Sequence, residues 1–171
     1  MAKTIKLLRH AKSDWDDAAR TDIERPLAER GWSDIALIAQ HMIEHQNGAA
    51  PSYVLCSPAR RTRETLAGIV NVLTPSAEIR FDPAIYGAPT EVLLTLLREI
   101  DPSRQSVLLI GHNPGIQALA VHLATPGEDA DELALKYPTS GLATLEFEGD
   151  WPDLAAGRTT LKSFLRPRDL R

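Results

Sequence analysis

The chain has 171 residues, 43% of them hydrophobic and 25% charged, a balance that suits one globular domain, 1–171, with a sizeable core. A net charge of −4 argues against a general nucleic-acid binder, and the single cysteine, Cys56, excludes an internal disulfide and fits a reducing compartment. No stretch approaches the roughly 20 apolar residues of a membrane span and no apolar leader opens the chain, so a cytoplasmic protein without membrane contact is expected.

Ile5-Lys6-Leu7-Leu8 reads as a short buried strand, and Arg9-His10 stands directly behind it. Gly31, Ile35, Ile38 and Met42 are spaced by four, three and four, which predicts an amphipathic helix over 27–45, with Asn47-Gly48 turning the chain after it. Tyr53–Cys56 is a second strand. Ser57-Pro58-Ala59-Arg60-Arg61 follows it, then a helix carrying Thr62, Leu66, Ile69 and Leu73. Glu78–Phe81 alternates like a half-buried strand before Asp82-Pro83. Val92, Leu93, Leu96, Leu97 and Ile100 predict a helix stopped by Asp101-Pro102.

Val107–Ile110 is a third apolar run, followed by Gly111-His112-Asn113-Pro114-Gly115 and a helix through Ile116, Leu119, Ala120 and Leu123. Pro58 and Pro114 are placed in the first turns of their helices. Leu142–Phe147 and Thr160–Leu165 read as two late strands. Strands alternating with helices imply right-handed crossovers and an α/β fold: a three-layer α/β/α sandwich around a mostly parallel sheet of five or six strands.

If the three apolar strands are parallel, their carboxyl ends share one sheet edge, where ligands of such folds bind. Arg9, His10, Arg61 and His112 then converge from three distant parts of the chain. Four cationic or cationisable groups beside helix N-termini describe a site for a dianion such as phosphate.

The segment Leu8-Arg9-His10-Ala11-Lys12-Ser13 resembles the opening motif of the histidine phosphatase superfamily, with Ala11 where many members carry glycine. Ser57 to Arg61 resembles its second motif, with Arg61 as the phosphate-binding arginine, and Gly111 to Gly115 its second-histidine motif. Arg25-Pro26-Leu27, Arg30-Gly31 and Tyr137-Pro138-Thr139-Ser140 are similar to the short bacterial branch typified by the phosphohistidine phosphatase SixA. The resemblance runs from Ile5 to about Pro167. It implies the same three-layer fold with one antiparallel strand.

The chemistry follows as a set of expectations. Neutral His10 is the nucleophile and becomes a transient phosphohistidine, its other ring nitrogen held by a backbone carbonyl. Arg9 and Arg61 offer forked donors to phosphate oxygens, and His112 donates best when protonated, which a neighbouring dianion favours. Two arginines and a histidine supply the positive charge, so no metal and no cofactor is expected. Ser13, Asn113, Thr139 and Ser140 are candidates for the rim of the site.

Leaving-group chemistry separates the substrate classes. Relatives acting on phosphate monoesters place a carboxylic acid after the third strand, where this chain offers Asp82, a strand-end residue, and Glu91, in a first helical turn. Neither is a clear acid. That suits the weak P–N bond of phosphohistidine on a protein, with inorganic phosphate as product and the enzyme acting as a monomer. A small-molecule phosphomonoesterase and a weakly catalytic phosphoprotein-binding module are the alternatives.

Other features receive plainer readings. His41 and His45 form a solvated pair, and His122 lies on a helix flank. Asp14, Asp16, Asp17 and the run Glu128 to Glu132 are solvated loops. Segments near Asp14 to Glu24 and Gly127 to Glu132 are candidates for a partial rim. Cys56 is a small core residue whose pKa the following helix could lower.

Overall fold

The computed structural model describes residues 2–16, 20–45 and 49–171. Strand β1 (Ala2–Arg9) runs through the middle of the sheet, and its period-two alternation divides the core in two. Ile5 and Leu7 face one cluster with Leu93, Leu97, Ile116 and Leu119. Leu8 faces the other, with Ile35, Ile38, Leu66 and Ile69. Full burial of side chains of this kind contributes about 1.5–3 kcal/mol each.

The remaining strands are β2 (Tyr53–Cys56), β3 (Glu78–Phe81), β4 (Ser106–Gly111), β5 (Leu142–Glu148) and β6 (Thr160–Leu165). They form one six-stranded sheet in the order β3-β2-β4-β1-β5-β6. β1, β2, β3 and β4 are mutually parallel, whereas β5 runs antiparallel to both its neighbours. One antiparallel strand in a mostly parallel α/β sheet is the architecture anticipated from the motifs.

Helices α1 (Glu29–His45) and α2 (Arg60–Ile69) pack on one face, and α3 (Thr90–Arg98) and α4 (Gly115–Leu123) on the other. Two glycines set close approaches near the strand ends. A Cβ on Gly31 would overlap the Lys12 carbonyl oxygen, and one on Gly115 would come within 2.5 Å of the Ala88 carbonyl oxygen. Among the described residues no helix is long and apolar enough to cross a membrane.

The structure corrects several local readings. Glu78–Phe81 is a strand, but all four residues are exposed, because β3 is the sheet edge and lies beyond the covering helices. The acidic stretch after Gly127 is a helix, α5 (Glu128–Leu135), pinned by fully buried Leu133. Three acidic side chains in its first turn suit the positive end of the helix dipole, a signal overridden in the sequence by net charge alone. Helix α1 starts at Glu29, α2 at Arg60 and α4 at Gly115, so Pro58 and Pro114 precede their helices. Leu73 falls beyond a 3-10 turn at Val70–Val72. Asp17 and Asn47-Gly48 lie outside the described residues.

Candidate active site

Register fixes the meeting point. β1 and β4 pair in parallel with Arg9 opposite Gly111. One step further, the His10 N–H donates to the Gly111 carbonyl at 3.0 Å, and the Ser57 N–H to the Ile110 carbonyl at 3.1 Å. Adjacent parallel strands thus deliver Arg9, His10, Ser57 and His112 to one edge.

His10 is nearly buried, 7% exposed. Its Nδ1 donates to the Ala11 carbonyl at 2.8 Å, which places the proton on Nδ1 and leaves the Nε2 lone pair available. Burial, aided by the nearby His112, Arg61 and Arg9, pulls its pKa down to about 3 against the pull of the Ala11 bond. The imidazole is therefore neutral at pH 7, the form a nucleophile needs. The Ser140 N–H donates to the His10 carbonyl at 3.1 Å, with Ser140 in the left-handed region at φ 59°.

Arg61 leaves the first turn of α2 and is 5% exposed, whereas its neighbour Arg60 turns outward to pair with Glu64 at 2.8 Å. Arg61 Nη2 donates to His112 Nδ1 at 3.2 Å, and His112 Nε2 lies 2.8 Å from Ser57 Oγ. A lone pair on Nδ1 puts the His112 proton on Nε2, so this ring is also neutral. Burial and the Arg61 charge hold its pKa at about 4, against the opposing pull of Asp22. The rings of His10 and His112 sit 5.3 Å apart.

Asp22 is the residue that the motif reading missed. It sits on a short 3-10 turn, Asp22–Glu24. Its backbone carbonyl accepts from Arg61 Nη1 at 2.7 Å and its carboxylate from Arg61 Nη2 at 3.0 Å. The same carboxylate accepts from Arg25 at 2.7 Å and from the Tyr86 hydroxyl. Bonds from Arg25 and Tyr86, with Arg61 in support, hold this carboxyl far below the usual carboxylate range. Tyr86 also meets the His112 ring edge-on at 5.3 Å. In the sequence Asp22 stands out only as part of the candidate rim segment Asp14 to Glu24, three residues ahead of Arg25.

Arg9 is fixed through Nη1, which donates to the Tyr137 carbonyl at 2.9 Å; Asn113 Nδ2 donates to the same oxygen at 3.0 Å. Among the described residues, Arg9 Nε, Arg61 Nε and Ser140 Oγ are buried without a hydrogen-bond partner. Polar atoms in that condition are costly, and here two of them are guanidinium donors.

The proposed rim is partly structural. Ser13 is buried, with its hydroxyl taken by Arg25, and Arg25 in turn lies 3.5 Å beneath the centre of the exposed Trp15 ring. Asn113 caps the chain by accepting from the Gln117 N–H at 3.2 Å. Thr139 is half-buried beside Ser140. Of the two carboxylates considered as acids, Asp82 caps the 3-10 turn at Pro83–Ile85, bonded to Ala84 N–H and Arg80, and Glu91 is exposed in the first turn of α3. Cys56 is a buried core thiol whose pKa burial pushes up to about 12, against the lowering expected from the helix. His41 and His45 stack at 4.1 Å.

Two fixed guanidinium groups, a neutral imidazole with a free lone pair and a second imidazole can hold a tetrahedral oxyanion and attack its centre. The comparisons agree with this composition. The sequence profile of the histidine phosphatase superfamily (branch 1) matches residues 5–86. An uncharacterized protein of Mycobacterium tuberculosis is 36% identical over 167 residues, which covers 94% of this chain and 100% of the relative. A structure described as the phosphohistidine phosphatase SixA of Nakamurella multipartitia superposes with a TM-score of 0.85 at 29% identity, covering 98% of this chain and 97% of that one. Another described as SixA, from Agrobacterium tumefaciens, gives 0.79 at 32% identity, covering 96% and 98%. The chain belongs to the histidine phosphatase superfamily and is a SixA-like phosphatase within it.

Proposed function

We propose that the chain hydrolyses phosphohistidine on a partner protein through a phosphohistidine intermediate on His10. His10 Nε2 attacks phosphorus, the P–N bond to the substrate imidazole breaks, and that ring leaves neutral when its other nitrogen carries a proton. Water then attacks phospho-His10, releasing inorganic phosphate and restoring the imidazole. Arg9, Arg61 and His112 carry the charge on the transferring group.

The observation that carries this reading is the state of Asp22. It is the carboxylate bonded to Arg61, and three donors keep it ionised, so it is an acceptor rather than a proton source. A site whose Arg61-bonded carboxylate offers no proton favours a leaving group that needs none. The SixA relatives support the same substrate class.

The test is kcat/KM for a phosphohistidine protein, an acyl phosphate, glycerol phosphate and sugar phosphates, measured without added metal. The P–N substrate is expected to lead. Efficient turnover of the alkyl phosphates would move the chain to the phosphomonoesterase class, and binding without turnover to a phosphoprotein-binding module.

A further inference from the structure

We infer, resting on the phosphohistidine reading above, that Tyr86 is a specificity-determining residue of the strand-end site. Its ring is the wall against which the leaving group lies, and it selects phosphoryl donors whose leaving group is itself an aromatic ring.

Tyr86 follows the 3-10 turn Pro83–Ile85, just beyond the end of edge strand β3. Ile85 anchors that turn. It is 2% exposed and packs so closely on β4 that a Cβ on Gly111 would come within 3.3 Å of its Cγ2. Gly111 directly precedes His112, so the anchor at Ile85 brings Tyr86 beside that imidazole. The two rings meet nearly at right angles, with centroids 5.3 Å apart. The Arg61 guanidinium lies over the Tyr86 ring, 5.9 Å from its centroid, and the Tyr86 hydroxyl donates to the Asp22 carboxylate. A ring held in place before the substrate arrives loses little conformational freedom on contact.

In-line transfer sets the attacking and departing atoms on opposite sides of phosphorus. His10 is 7% exposed and forms the floor of the site, so the departing group lies on the solvent side. A substrate imidazole attached to a folded partner must also enter from that side. Tyr86 and Asp22 are the exposed residues among the side chains that bond to, or stack with, Arg61 and His112. Asp22 is an anion committed to Arg25 and Arg61. Tyr86 is 38% exposed, which leaves ring surface for a departing imidazole at the spacing aromatic pairs favour.

The hydroxyl is a poor proton source for an alcohol. It is already donated to Asp22, and that bond pushes the tyrosine pKa up. Tyr86 thus stands in the segment after the third strand, where monoesterase relatives place a carboxylic acid, and offers an aromatic surface in place of a proton.

The test compares two P–N donors, phosphoimidazole, which releases an aromatic ring, and phosphoramidate, which releases ammonia. The readout is the ratio of their kcat/KM values in the parent, Tyr86→Leu and Tyr86→Phe. Tyr86→Leu should lower the ratio about tenfold, the scale of a lost aromatic contact with its buried area. Tyr86→Phe keeps the ring and should keep the parental ratio. Any loss that comes from freeing Asp22 affects both donors and cancels. A parental ratio in folded Tyr86→Leu overturns the inference. Equal falls in both variants also overturn it, since the hydroxyl and Asp22 would then carry the effect. If neither P–N donor is turned over, the phosphohistidine reading fails. The ratio of para-nitrophenyl phosphate to acetyl phosphate in the same proteins then decides the wall by the same outcomes. Should Tyr86→Leu fail to fold, Tyr86→Gln takes its place with the same expectation.

Discussion

Arg61 Nη2 donates to His112 Nδ1 at 3.2 Å, so two groups expected to grip the same anion also bond each other. The bond uses the Nδ1 lone pair, and the Nε2 proton is directed at Ser57 Oγ, 2.8 Å away. His112 can donate from Nδ1 to a phosphate oxygen only after gaining a proton there. Its pKa, held at about 4 by burial and Arg61, must rise when a dianion settles beside it.

Anion binding should therefore take up a proton. Affinity for sulfate, which stays a dianion throughout, should tighten as pH falls from about 7 to about 5, and His112→Asn should flatten the dependence. The linkage to folding has its own sign. Both imidazoles have lowered pKa values in the folded chain, so the unfolded chain binds protons more readily. Their contribution to stability is present above about pH 6.5 and is lost as pH falls toward 4 and then 3. Calorimetry for the sulfate and denaturant melts of parent and His112→Asn across this window check both signs; a pH-independent affinity refutes the proton uptake.

His10→Ala should abolish turnover and leave the fold intact, with a melting temperature within about 4 °C of the parent. Among the described residues the ring's hydrogen bond is to the adjacent Ala11 carbonyl, so truncation breaks no long-range hydrogen bond of that ring. Residual activity within a few-fold of the parent would remove His10 from the role of nucleophile.

Arg61→Ala and His112→Ala should each lower kcat by about 10²–10³, the size of losing one preorganised donor. Arg60→Ala should cost no more than a few-fold, because Arg60 points outward to Glu64. Equal losses at the two arginines would mean that the wrong one has been assigned to the phosphate.

Asp22→Ala should lower kcat/KM roughly tenfold by freeing the Arg61 guanidinium to swing. Asp22→Asn, which can still accept from Arg61, should recover most of that loss. The Asp22 backbone carbonyl remains bonded to Arg61 in both variants, which bounds the effect. Tighter sulfate binding in Asp22→Ala than in the parent would show that this carboxylate competes with the anion instead of orienting its partner.

Asp82→Asn and Glu91→Gln should leave phosphohistidine hydrolysis nearly unchanged, since Asp82 serves as a turn cap and Glu91 faces solvent. Rates on alkyl esters should fall steeply as the leaving alcohol becomes more basic, because nothing neutralises the departing oxygen. EDTA should have no effect, the arginines carrying the charge a metal would otherwise carry. A large loss in either carboxylate variant would identify the missing acid.

The sheet and the four basic residues were legible in the sequence because both depend on short-range pattern. Short apolar runs bounded by turn residues, such as Ile5–Leu8 and Val107–Ile110, suit strands of a buried sheet, and parallel strands end on one edge, which brings His10 and His112 together by register. Asp22, Tyr86 and Ser57 were not legible as partners of that site, for they reach it from 3-10 turns and loops whose paths no periodicity records. The same holds for the protonation of His112: residue type offers both states, and burial with a single arginine contact selects the neutral one. Helix α5 was hidden by its acidic surface, since Leu133 is its one buried residue and Ala130 packs only partly against the core. Residue identity and period set the strands, their order of chemistry and the basic ends; tertiary packing decided which nitrogen holds each proton and which carboxylate holds Arg61, because both depend on contacts between residues far apart in the chain.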